Sequence, residues 1–218
     1  EHNASLGQEI GVEVYLTAFT SSKASWEAKR TIFLDYYIVP RTSKEYISIT
    51  VGFFLEGDLG PNRSVINRTE LSTPGEIIQY KDSMLDQFLG VSAVFLNESL
   101  DGSMAFDNEK ENWPMKYQDY ANYMQSKWSD NSPLTAGNDG KNGTKEVKHI
   151  FSDIFANWND KNVKTSRKSI LGYSNYGQFK PGDVLKFNVG LAVDSILEFG
   201  FGMMTRDLYR EISSTGLV

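Results

Sequence analysis

Trp113, Tyr117, Tyr120, Tyr123 and Trp128 gather five aromatic rings into one short stretch near the middle of the chain. On a helix from about Met115 to Trp128, Tyr117, Tyr120 and Trp128 lie along one side while Tyr123 points elsewhere. Rings exposed in a row can stack on sugar rings or anchor a protein partner. Trp113, Tyr117, Tyr120 and Trp128 are therefore a candidate ligand platform, for a carbohydrate or a receptor. The same spacing also suits an amphipathic helix that packs its aromatic side onto a sheet.

Two other groups carry chemistry of a different kind. Asn-X-Ser/Thr sequons occur at Asn3, Asn62, Asn67, Asn97 and Asn142, more than this composition gives by chance. All fall where the chain reads as terminus, strand end or loop, as a glycan acceptor requires. Acidic, oxygen-rich loops run from Asp101 to Asn112 and from Asn138 to Asn142. Hard cations take several oxygen ligands from such loops, so Asp101, Asp107, Glu109 and Asp139 are candidate ligands for a structural calcium ion. The EF-hand spacing is absent, and merely hydrated loops share this composition. No other cofactor is suggested.

Catalytic groups are scarce. The chain has no Cys, which removes thiol catalysis, Cys–zinc sites and iron–sulfur clusters. His2 sits beside the terminus, and His149 falls next to an apolar stripe without an evident orienting partner. Gly-x-Ser-x-Gly, Walker and Gly-x-Gly-x-x-Gly motifs are missing. The expectation is a protein that binds or assembles and is not an enzyme. One enzyme class stays open, a glycoside hydrolase with a carboxylate pair, because such groups meet only in the fold.

The elements that must position these residues are mostly strands. From Glu9 to Thr20, Ile10, Val12, Val14, Leu16 and Ala18 alternate with other residues, placing an aliphatic set on one face. Thr31–Val39 and Glu45–Leu55 continue the pattern, with the short Pro40–Lys44 link suiting an antiparallel pair. Thr73-Pro74-Gly75-Glu76 has the chemistry of a helix start, and the apolar stripe to Leu89 predicts a helix ended by Gly90. Val91–Leu96 reads as a strand. Asn97 to Gly143 loses the period of two and reads as a loop-rich aromatic insertion. Val147, Ile150, Phe151, Ile154, Phe155 and Trp158 follow helical spacing after Thr144. Ser169–Tyr176 returns to strand, Lys180-Pro181-Gly182-Asp183 predicts a type II turn, and Val184–Phe201 alternates again. The segment after Thr205 suits either a short helix or an edge strand.

These elements predict an α+β, mainly β chain: a jelly-roll-like antiparallel two-sheet sandwich with two or three inserted helices. The 218 residues suit a single domain. A net charge of −6 without a basic stripe argues against nucleic-acid binding. The most apolar stretch, Val184 to Met204, is interrupted by Lys186, Asn188, Asp194 and Glu198, which argues against a transmembrane helix. The start Glu1-His2-Asn3, with the sequons, reads as a secreted or cell-surface protein whose signal peptide has been removed. In that setting residues 1–20 suggest a strand donated to a neighbouring copy, with Ile10, Val12, Val14 and Leu16 as the donated face. A head-to-tail contact of this kind propagates into a homopolymeric filament, tubule or surface layer. The same residues equally make an ordinary first strand in the chain's own sheet.

Overall fold

A computed structural model describes residues 10–22, 28–56, 65–71, 75–81, 90–106, 113–137, 140–152, 158, 169–194 and 201–214. In chain order these form β1 (Val12–Phe19), β2 (Thr31–Pro40), β3 (Ile49–Glu56), β4 (Val65–Glu70), β5 (Glu76–Lys81), β6 (Gly90–Phe95) and β7 (Gly102–Phe106). The helix α1 (Tyr117–Tyr123), then β8 (Ser169–Tyr176), β9 (Leu185–Asp194) and the helix α2 (Phe201–Ser214) follow. The strands make a six-stranded sheet in the order β1-β2-β9-β6-β5-β4 and a three-stranded sheet in the order β3-β8-β7. Every pairing between these strands is antiparallel. The expected two-sheet antiparallel sandwich is therefore the observed fold.

The core lies between the sheets and follows from the period of two. Residues directly opposite each other in an antiparallel pair share a face. Leu185, Phe187 and Val189 of β9 stand opposite Ile38, Tyr36 and Leu34 of β2, and all six belong to the core or pack against it. From the second sheet, Leu55, Ile170 and Ala105 complete it. The outer face of the three-stranded sheet is covered by α1 and the chain after it: the Phe106 ring lies 4.3 Å from Tyr123, and Phe54 lies 6.3 Å from Tyr120. The outer face of the larger sheet is covered by α2. Gly190 lets it approach, since a Cβ there would come within 2.6 Å of Thr205 Cγ2.

Several expected elements take another form. The Thr73 helix start leads into β5, with Ile77 and Gln79 fully buried between β4 and β6. A helix cap is worth about 1 kcal/mol; burying Ile77 and Ile78 in a sheet paired on both sides yields about 1.5–3 kcal/mol for each side chain. Residues 82–89 lie outside the described residues. The helix expected after Thr144 is replaced by turns and bridges through Ser152. There the backbone serves the free edge of β7: Ser103 N–H donates to Lys148 O (2.9 Å), and Ile150 N–H donates to Ser103 O (3.1 Å). Phe151 adopts a φ of +55°, which no helix admits.

The remaining differences concern extent and partners. The helix over Met115–Trp128 shortens to α1, where Asp119 Oδ2 accepts the Met115 and Lys116 N–H groups at its start (2.9 and 3.2 Å). The aromatic insertion carries a strand of its own, β7. The third strand begins at Ile49 and joins the other sheet, so Pro40–Lys44 is not a hairpin link. The strand from Val184 ends at Asp194, and Phe201 opens α2. The type II turn forms, with Gly182 at φ +91° and Asp183 N–H donating to Lys180 O (3.0 Å).

Candidate functional site

The core face of the larger sheet runs on past β2 to β1, and there it loses its cover. Val14 lies opposite Ile38, Leu16 opposite Tyr36 and Ala18 opposite Leu34, so this aliphatic set belongs to the same face as the core. Yet Val14 is 56% exposed and Leu16 52%, because the three-stranded sheet does not reach over them. Ile10, just before the strand, is also exposed, whereas Val12 is partly buried. All four residues of the predicted donated face thus lie at one edge, in or beside a strand that belongs to the chain's own sheet.

That edge is open. Among the described residues β1 pairs only with β2, over eight consecutive register positions without a bulge. Unpaired N–H and C=O groups along an edge are a template for another strand. Proteins usually blunt such an edge with proline, bulges or inward-pointing charge. β1 has none of these. Its single charge, Glu13, lies on the opposite face, where the carboxylate accepts from Arg41 Nη2 (2.5 Å) and Tyr15 OH (2.6 Å). The Arg41 hydrogen bond, then that of Tyr15, holds the Glu13 carboxyl below its ordinary range.

A second polar arrangement lies beneath α2 and was not foreseen. Asp35 is 1% exposed, and its Oδ1 accepts from Asn188 Nδ2 (2.5 Å) and Tyr209 OH (3.0 Å). Asn97 Nδ2 in turn donates to Asn188 Oδ1 (2.7 Å). Burial, and then the neighbouring Asp35 carboxylate, push the Tyr209 phenol well above its usual range. Around this cluster the Tyr209 ring packs 5.7 Å from Phe33, which stacks on Phe19 at 5.3 Å. A carboxylate held by neutral donors under a helix can fix that helix in place. The signal in the sequence was Asp35 standing between Phe33 and Tyr37 on one face of a strand.

No protein-family model, curated protein or solved structure gives a significant match to this chain. Its candidate residues are therefore weighed on their own geometry.

The aromatic residues do not form an exposed row. Trp128 and Tyr123 are wholly buried, and the Trp128 indole donates to Gly140 O (3.0 Å). Trp113 and Tyr120 are partly buried against Phe54, and Tyr117 alone of the predicted platform is largely exposed. Asp101 has both carboxylate oxygens engaged, by Ser99 Oγ and by the Asn175 N–H, each at 2.7 Å. Asp107, Glu109 and Asp139 lie outside the described residues. Among the described residues no three His, Cys, Asp or Glu side chains converge as a metal site would need. Of the sequons, Asn142 is exposed, Asn67 falls within β4, and Asn97 is tied to Asn188. Asn3 and Asn62 lie outside the described residues. His149 is partly buried, and burial lowers its pKa below the usual imidazole value. Among the described residues, no helix is long and apolar enough to cross a membrane.

Proposed function

We propose that this chain is a structural subunit of an extracellular assembly, such as a filament, tubule or surface layer, joined to a second copy along the open edge of β1. The observation that carries the reading is an eight-residue edge strand, free of proline and bulges, whose aliphatic face extends the core face yet stays half exposed. A neighbour that adds here gains main-chain hydrogen bonds and covers Val14 and Leu16 together. β1 keeps its own pairing with β2 in this reading, so the contact is made by addition to the sheet and needs no strand to leave it. The sequons at Asn3, Asn62, Asn67, Asn97 and Asn142 support an extracellular setting.

Val14→Asp tests this. In the isolated chain the new carboxylate meets water, so the unfolding free energy from urea denaturation should change by no more than ordinary surface changes do, about 0.5 kcal/mol. In the assembly it would stand against the aliphatic side chains of the added strand and lose part of its hydration, which weakens the contact. The expected result, read by light scattering and negative-stain electron microscopy, is loss of assemblies from a folded chain. Assemblies of wild-type size and concentration dependence in the variant would overturn the reading.

A further inference from the structure

We infer that the strand added to β1 is β1 of the second copy, paired antiparallel about a twofold axis that passes midway between the two copies of Tyr15. The inference rests on the proposed use of this edge and adds the partner strand, the register and the point at which the contact stops growing.

The other sheet edges are poor partners. At β4, the opposite edge of the larger sheet, Thr69 N–H donates to Phe151 O (3.4 Å) and Thr69 Oγ1 shares a hydrogen bond with Ser103 Oγ (2.7 Å). That edge is folded onto the second sheet. At β7, the backbone of Lys148–Ile150 already occupies Ser103. At β3, Leu55 is buried and the other large apolar side chains are partly covered. Among the described residues β1 alone presents both an unused ladder and exposed aliphatic side chains, so a contact built from the best such surface on each copy is β1 against β1.

The register follows from the two faces. Opposite residues must share a face, so with the axis normal to the sheet it must lie level with one residue of each copy and not between two successive residues. An axis level with Tyr15 sets Val14 opposite the second copy's Leu16 and Leu16 opposite its Val14. Val12 then meets Ala18, and the two Tyr15 rings become cross-strand neighbours on the other face. Glu13 faces Thr17. Moving the axis to Leu16 would set Glu13 against Phe19, which is already stacked on Phe33, and leave Val12 without a mate. Moving it to Val14 would shorten the paired stretch, because Gly11 at φ +60° ends the strand.

Charge favours the same choice. Among the described residues, the charged side chains at this edge, Glu13 and Arg41, have opposite signs and bind one another. Two copies of the edge can therefore meet without setting like charge against like, although each chain carries a net −6. Such a contact is isologous and closes at two copies. It joins two six-stranded sheets into one, and any growth into a larger assembly must use a different surface.

The chain has no Cys, so engineered thiols report without background. Y15C and T17C are compared in the full chain with a short bis-maleimide linker. In the proposed register, position 15 lies opposite itself, whereas two copies of position 17 are offset by four residues, about 13 Å along the strand. Y15C should give covalent dimer and T17C should not. A mixture of E13C and T17C should give a linked heterodimer that neither variant forms alone, which tests the register with Tyr15 intact. Efficient self-linking of T17C overturns the register. Assemblies that Val14→Asp abolishes, but that Y15C and the mixture fail to link, overturn the twofold contact and leave the edge reading standing. A wild-type chain that stays monomeric at every concentration overturns both.

Discussion

At the scale of single residues, Asp35 and Tyr209 tie the C-terminal helix to the larger sheet. Asp35 is a buried carboxylate whose Oδ1 has two donors, and one of them, Tyr209 OH, comes from α2. Tyr209→Phe keeps the ring between Phe33 and Phe19 but withdraws that donor. A hydrogen bond to a charged group contributes about 1.5–3 kcal/mol, and the buried oxygen is left with the Asn188 Nδ2 donor. The variant should lose stability by about that amount in urea denaturation, with faster amide exchange over 201–214 than over β9. Exchange that accelerates equally in both would mean that α2 is not held by this bond. The sequence showed an acidic residue in mid-strand but could not reveal what would cover it, because the segment that supplies Tyr209 read equally as helix or strand. Tyr120 shows the reverse limit: its position on a helix is legible, but whether it looks outward depends on Phe54, which lies on a strand far away in the chain.

At the scale of elements, the period of two was the reliable signal and helix chemistry was not. β2 and β9 appear where alternation placed them, and β6 and β8, buried on both faces over most of their length, appear where a short apolar run or strand-like stretch placed them. β5 and the stretch from Thr144 to Ser152 carry good helical signals, but neighbouring strands offer their backbones partners that a local pattern does not record. Turn chemistry is local and survived intact. Gly182 and Gly177 make a matched test, because a Cβ at either position meets nothing within 4 Å and only Gly182 has a left-handed φ. Gly182→Ala should cost about 1–2 kcal/mol, the penalty of a left-handed L-residue. Gly177→Ala should be neutral or stabilising by up to about 1 kcal/mol through the unfolded chain. Equal thermal midpoints for the two variants would refute a backbone origin.

For the whole molecule, unequal sheets decide where the structure is firm and where it is available. β9 sits between β2 and β6, with the core on one face and α2 near the other, so opening it requires disrupting both layers. Among the described residues β1 has one partner strand, and between Val12 and Phe19 its side chains are about half exposed, so it can part from β2 while the core stays closed. Hydrogen exchange in dilute solution should therefore be slowest in β9 and β6 and fastest, among the strands, in β1. Within β1 the amides should split into two classes, alternate residues bonded to β2 and the rest facing water. Raising the protein concentration leaves β9 unchanged, since its protection depends on contacts within one chain. If a second copy adds along the edge, the water-facing class in β1 slows with concentration and the two classes merge. In Val14→Asp they should remain apart at every concentration. Slowing that spreads evenly over all strands would instead trace association to a surface other than this edge.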